Sequence, residues 1–264
     1  MKVALIQMEI CWGDVEANLQ RLSERFSDDL GCDIILLPEM FAVGSLMTRK
    51  NSSETRSLFE KTALYWERIC SAMTVWARRQ NALVMGSAVC SEGDKLYNRM
   101  IAAMPDGGYL FYDKRHCFTT SGENEYITSG NRRQIFEFRG LKVATFICYD
   151  LRFPVWSRNR EKYDLAVYVA NWPTSRRDVW MTLLKARAVE NQCYVAGVNC
   201  VGTDVDGLHY SGDSMLVDAR GCIVASASPD NEEILKAEIN IEQLSTLREK
   251  FPVLNDMDEF AIKI

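Results

Sequence analysis

"QIFEFRGLKVATFICYDLRFPVWSRN" runs from Gln134 to Asn159. Two apolar arms flank an Arg-Gly step, a spacing that predicts a β-hairpin whose second arm ends at Cys148. Pro154 then predicts the start of a helix reaching about Arg160. "DLAVYVAN" (Asp164–Asn171) follows, an unbroken apolar run of the kind seen in strands covered on both faces. A hairpin feeding a strand–helix–strand unit calls for a mixed sheet with helices packed on it.

The same alternation extends in both directions. "KVALIQM" (Lys2–Met8) and "DIILLPE" (Asp33–Glu39) read as buried strands, with a helix between them that Asp14 caps and that runs to about Asp28. Glu54 to Arg79 reads as one long amphipathic helix, with Leu58, Ala63, Trp66, Ile69, Met73 and Trp76 near helical spacing. "ALVMGSAVC", "LYNRMIAAM" and "YLFYD" are strands, the last entered through the turn "PDGG". Beyond the central stretch come a helix from Asp178 to Asn191 and a strand in "CYVAGVNC". Three strand-like segments follow around Ser214, Ile223 and Ile234, then a short helix in "IEQLSTLREKF" and an extended tail. "DIILLPEM" and "DLAVYVANWP" resemble each other, a hint of internal pseudo-symmetry. No linker or charge block divides the chain, so residues 1–264 read as a single domain with a short C-terminal tail. The expected fold is α/β, with two mixed sheets face to face and helices outside.

Of the 264 residues, 47% are hydrophobic and 25% charged, the composition of an ordinary globular protein. The formal net charge of −5 and the lack of a basic cluster argue against a nucleic-acid partner. No stretch approaches the roughly 18–20 apolar residues of a membrane span. "MKVALIQMEI" reads as a strand rather than a signal peptide, so a cytoplasmic protein is expected. The nine cysteines are odd in number and include no CxxC pair, which argues against a disulfide framework or a zinc site. Neither a metal nor another cofactor is expected.

Most of these cysteines fit the role of small buried hydrophobes. Cys148 stands apart because it ends a strand, where open α/β folds place their chemistry. A reactive thiol needs a base or a positive charge beside it. Only His116 and His209 are available as imidazole bases. Serine-hydrolase, P-loop and dinucleotide motifs are missing. Two other strand ends carry suitable groups: "ILLPEMF" delivers Glu39 and "LFYDKRHCF" delivers Lys114.

Together, "LPEMF", "DKRHCF" and "FICYDLRFP" resemble the three signatures of the nitrilase superfamily, the carbon–nitrogen hydrolases. The resemblance runs from Val3 to beyond Pro252. Within the superfamily, "YDLAVYVANWPTSRRDVWMTLLKARAVENQCYVAGVNCVG" and "HYSGDSMLVDARG" resemble the omega-amidase branch, which acts on 2-oxoglutaramate. The resemblance implies a four-layer α-β-β-α sandwich and a catalytic triad of Glu39 as base, Lys114 as oxyanion partner and Cys148 as nucleophile. It also implies oxyanion support from the backbone N–H of Tyr149, no cofactor, and self-association, commonly as a dimer. A second glutamate is expected in "SGENEYITSG"; Glu123 fits the pattern better than Glu125.

An omega-amide of a small dicarboxylate carries a carboxylate at its far end, which calls for an arginine. Arg152, Arg176, Arg177 and Arg187 all lie in the resembling region, and Arg176 is the expected partner. Phe118 and Trp172 are expected to wall the pocket. One departure bears on specificity: Ala42, Val43 and Ser45 stand where relatives commonly have Thr-Gly-Phe. The alternatives are an N-carbamoyl amide hydrolase or a nitrilase, and, from another class, a binding protein that has kept the fold.

Overall fold

The computed structural model describes residues 1–45 and 52–263. One sheet is built from β1 (Lys2–Gln7), β2 (Ile34–Leu36), β3 (Leu83–Glu92), β4 (Lys95–Ala103), β5 (Tyr109–Asp113) and β14 (Glu233–Glu238), in the order β14-β1-β2-β3-β4-β5. The other contains β6 (Ile135–Phe138), β7 (Leu141–Ile147), β8 (Leu165–Ala170), β9 (Tyr194–Asn199), β12 (Met215–Val217) and β13 (Ile223–Ser226), in the order β13-β12-β9-β8-β7-β6. Strands β10 (Val201–Thr203) and β11 (His209–Ser211) form a separate ribbon that sequence patterning missed, because each is too short to show a period.

Alternation along the strands explains the layers. Val3, Leu5, Ile34, Leu36, Leu83 and Met85 share a core with the second sheet. Their neighbours Ala4, Ile6, Ile35, Leu37 and Val84 face α1 (Val15–Arg25) and α3 (Trp66–Gln80) instead. Both faces of β8 are apolar because the second sheet is covered in turn by α4 (Arg177–Asn191) and α5 (Ile241–Lys250). Gly197 allows α4 to approach β9: a Cβ there would lie 2.5 Å from Leu184 Cδ1. The result is the expected sandwich of two mixed sheets with outer helices.

The two sheets share one pairing pattern. Read from β14 and from β6, each begins with an antiparallel pair, continues through two parallel pairs and ends in two antiparallel ones. Strands β2 and β8 occupy equivalent places, which accounts for the likeness of "DIILLPEM" and "DLAVYVANWP".

Two expectations need correction. The long helix is divided into α2 (Ser52–Ala63) and α3. At the join, Leu64 and Tyr65 bond back to Lys61 and Thr62, tightening the chain to i−3 spacing. The apolar period continues across the join, so sequence periodicity does not reveal it. The segment after Pro154 is a turn followed by irregular chain, not a helix. There the Asn159 side chain bonds both the N–H and the C=O of Tyr163, and Asn159 donates to Asn191 from its main-chain N–H and its Nδ2. A buried side chain thus claims the backbone that a helix would have used.

Candidate active site

Glu39 follows β2 across Pro38, Lys114 follows β5, and Cys148 follows β7. Strands β2 and β5 run in the same direction, since two antiparallel steps separate β3 from β5. Their ends therefore share one edge of the sandwich. Cys148 (φ 44°) and Met40 (φ 45°) both lie in the left-handed region, which is uncommon for residues with a Cβ and costs backbone energy. At Cys148 this sharp turn ends β7 and opens a 3-10 turn, Cys148–Arg152.

Asp150 holds that turn. It is fully buried and accepts from the N–H of Ile147 (3.0 Å) and from Tyr112 Oη (2.7 Å). It also accepts from the N–H of His116 (2.9 Å) and contacts His116 Nδ1 (2.8 Å). One carboxylate thereby ties the cysteine's turn to the loop that carries Lys114.

Lys114 Nζ sits between two buried carboxylates. It lies 2.8 Å from Glu39 Oε1, and 3.0 and 2.9 Å from the two oxygens of Glu123. Burial opposes its charge, but Glu123 and Glu39 together outweigh that penalty and hold its pKa well above the ordinary 10.5. Glu123 is the glutamate that reaches the lysine, and its Oε2 also accepts from the N–H of Phe118. Glu125 is exposed. Gly130 closes the arrangement from behind: a Cβ there would lie 2.1 Å from the carbonyl oxygen of Asp113.

Burial and the charge of Glu39 push the Cys148 thiol well above its ordinary value, against the pull of Lys114. It therefore rests protonated, sharing its cavity with the carboxylate of Glu39. Several other cysteines are also raised, Cys70 to about 12 and Cys90 and Cys117 to about 11. What separates Cys148 is position: it opens onto a cavity beside Glu39 and Lys114.

That cavity, about 60 Å³, is lined by Glu39, Lys114, Glu123, Cys148, Tyr149, Phe118, Trp172 and Arg176, all marked out in the sequence. It continues into a recess bordered by Asp204, Leu208 and Tyr210, around the β10–β11 ribbon. The N–H of Tyr149 lies in the first turn of a 3-10 helix, among the donors such a helix leaves without an internal acceptor.

The four arginines separate clearly. Arg177 forms a two-pronged pair with Asp213, and Arg187 bonds the carbonyl of Leu151 and Glu190. Arg152 and Arg176 line the cavity, stacked on Trp172 and Phe118 at 5.1 and 5.2 Å. Among the described residues neither guanidinium has a carboxylate partner. Of the departures after Phe41, Ser45 lines the cavity, whereas Ala42 and Val43 are buried in the core. Neither histidine lines it: His116 is engaged with Asp150, and His209 with Asp230 and Thr203.

Sequence reading missed Asn98, Asn171 and Asp150. Asn98 Nδ2 donates to Glu39 Oε1 (2.7 Å), the N–H of Asn171 donates to Glu39 Oε2 (2.9 Å), and Asn171 Nδ2 donates to the carbonyl of Glu39. The available signal was an amide inside the apolar run "LYNRMIAAM", costly to bury without a partner.

The family profile of the carbon–nitrogen hydrolases matches residues 2–249. The omega-amidase YafV of Yersinia enterocolitica is 44% identical over 262 residues, 99% of this chain and 98% of that protein. The 2-oxoglutaramate amidase of Bacillus subtilis is 31% identical, over 97% of this chain and 96% of its own. XC1258 from Xanthomonas campestris, a solved CN-hydrolase superfamily protein, superposes with a TM-score of 0.93 at 32% identity, over 100% of this chain and 99% of that one. A likeness that spans nearly every residue, fold and sequence together, leaves one conclusion: the chain belongs to the carbon–nitrogen hydrolase family.

Proposed function

We propose that this protein is an omega-amidase, converting small omega-amido acids of the 2-oxoglutaramate type to the dicarboxylate and ammonia. The observation that carries the reading is a Glu39–Lys114–Cys148 cluster sharing one cavity with Arg176, which has no carboxylate partner among the described residues. Attack begins as the thiol proton passes to Glu39 and Sγ bonds the amide carbon. The carbonyl electron pair moves onto oxygen, where Lys114 Nζ and the N–H of Tyr149 receive it. Collapse re-forms the carbonyl and breaks the C–N bond, with Glu39 returning its proton to the departing ammonia. A water molecule, deprotonated by Glu39, then cleaves the thioester, and the thiol regains its proton. Glu123 keeps Lys114 charged and aimed.

Among the described lining residues, Lys114, Arg152 and Arg176 face Glu39 and Glu123, one net positive charge when all five are ionised. That balance suits a substrate with a single carboxylate. Arg176 takes this carboxylate, with Phe118 and Trp172 as walls. Arg176→Ala raises KM for 2-oxoglutaramate roughly 5- to 150-fold, about 1–3 kcal/mol of lost binding, with a smaller change in kcat. An unchanged KM removes Arg176 from that role. Ammonia release from a panel of omega-amido acids, N-carbamoyl compounds and nitriles tests the reading itself. Faster turnover of a nitrile or a carbamoyl compound than of any omega-amido acid would overturn it.

The proposal extends to one domain over residues 1–264 acting as a homodimer in the cytoplasm. Nine free thiols suit a reducing compartment. Among the described residues, no helix is long and apolar enough to cross a membrane. The turn after Cys148 exposes Val155, an apolar side chain available to a second copy. Sedimentation equilibrium is expected to return twice the chain mass; a monomer at micromolar concentration rejects the dimer.

A further inference from the structure

Asn98 sits on β4, completely buried, in the strand that also buries the apolar Leu96, Met100, Ile101 and Ala102. Its Nδ2 and Lys114 Nζ both reach Glu39 Oε1, at 2.7 and 2.8 Å. A carboxylate oxygen accepts along about two lone-pair directions, so these donors fill Oε1. Oε2 receives one backbone bond, from the N–H of Asn171 at 2.9 Å, and keeps a direction free. Asn98 also accepts from the N–H of Lys114 through its own carbonyl, at 2.9 Å. One residue thus holds the base by its side chain and the lysine by its main chain.

Two further observations separate this arrangement from ordinary packing. Among the described residues, Asn98 Oδ1 is buried without a hydrogen-bond partner. An amide that leaves half its polar capacity unmet is a poor core filler, and an apolar residue of similar size would suit packing better. The next residue, Arg99, pairs with Asp113 across the strands, at 2.5 and 3.0 Å. That clamp fixes the register of β4 against β5, and so sets Asn98 against Lys114.

We infer that Asn98 is a positioning residue that occupies Glu39 Oε1 and thereby leaves Oε2 as the oxygen that receives the thiol proton. The inference rests on Glu39 being the base, as proposed above. Without Asn98 the carboxylate is free to turn about its bond, and it loses a donor that favours its charged form. Oε2 is then no longer held toward the thiol, and thiol activation slows.

The test combines alkylation of the substrate-free protein with turnover. The rate of Cys148 alkylation by iodoacetamide at neutral pH is followed by peptide mass spectrometry in wild type, Asn98→Ala, Asn98→Asp and Glu39→Gln. Glu39→Gln slows alkylation most, and Asn98→Ala and Asn98→Asp slow it on the order of tenfold. In turnover, Asn98→Ala lowers kcat on the order of tenfold at neutral pH and leaves KM within about twofold. Alkylation and kcat in Asn98→Ala that match wild type, while Glu39→Gln is slow, overturn the role of Asn98 alone. Alkylation in Glu39→Gln as fast as in wild type overturns Glu39 as base and the inference with it. Asn98→Asp is nearly isosteric, so the comparison survives if the alanine variant does not fold.

Discussion

Cys148→Ala abolishes ammonia release from 2-oxoglutaramate, with a loss on the order of 10⁴-fold or more. Both half-reactions of the proposed pathway pass through a thioester on this sulfur, and among the described residues no other cysteine lines the cavity. The substitution removes one half-buried atom and leaves a side chain with the same Cβ at φ 44°. The turn itself is held by Asp150, which the substitution does not touch. Stability therefore stays close to wild type, with Tm within about 4 °C. Activity within tenfold of wild type in a correctly folded variant would sink the nucleophile assignment. The pairing of lost turnover with an intact melting transition distinguishes lost chemistry from lost structure.

Lys114→Ala has the second large effect, and on two quantities at once. Losing an oxyanion donor alone costs about 10²- to 10³-fold in rate. Here the same ammonium also separates Glu39 from Glu123. Without it two buried carboxylates share a small space, and one of them must take up a proton or turn away. If Glu39 is that one, the base is lost as well, so kcat falls by at least about 10³-fold. Removing one member of a buried ion pair costs on the order of 3–5 kcal/mol of stability, measurable by urea unfolding. Because the folded state raises the lysine pKa above 10.5, its contribution is present in full at all lower pH values. It fades only on the alkaline side. Lys114→Met keeps most of the volume and remains as inactive, which separates charge from packing. Wild-type stability in both variants would show that the lysine does not hold the carboxylates apart.

Much of this molecule was legible because the relevant signals are local. The runs at Lys2, Asp33 and Asp164 declare buried strands, and Glu39, Lys114 and Cys148 each stand within three residues of a strand end. What escaped detection depends on contacts between segments distant in the chain. Asn98 gains its meaning from Glu39, 59 positions away, and Asn171 from the same glutamate at 132. The helix expected after Pro154 lost to Asn159, whose bonds to Tyr163 and Asn191 no local pattern records. Sequence put Arg176 forward among the four arginines but did not show that Arg177 and Arg187 are committed elsewhere, since pairing with Asp213 or with the carbonyl of Leu151 exists only after folding.

The sequence by itself determined the layered α/β architecture, through apolar runs and periods that act over a few residues. It also determined, through three strand-end motifs, which thiol, amine and carboxylate would meet. Only the tertiary structure decided how they meet. It set the lysine between two carboxylates, brought the thiol into one cavity with Glu39, and left two guanidiniums there without a carboxylate partner among the described residues. The physical reason is range. Hydrophobic patterning is written along the chain, whereas hydrogen bonds and charge balance in a buried site depend on distances of about 3 Å between groups that only folding brings together.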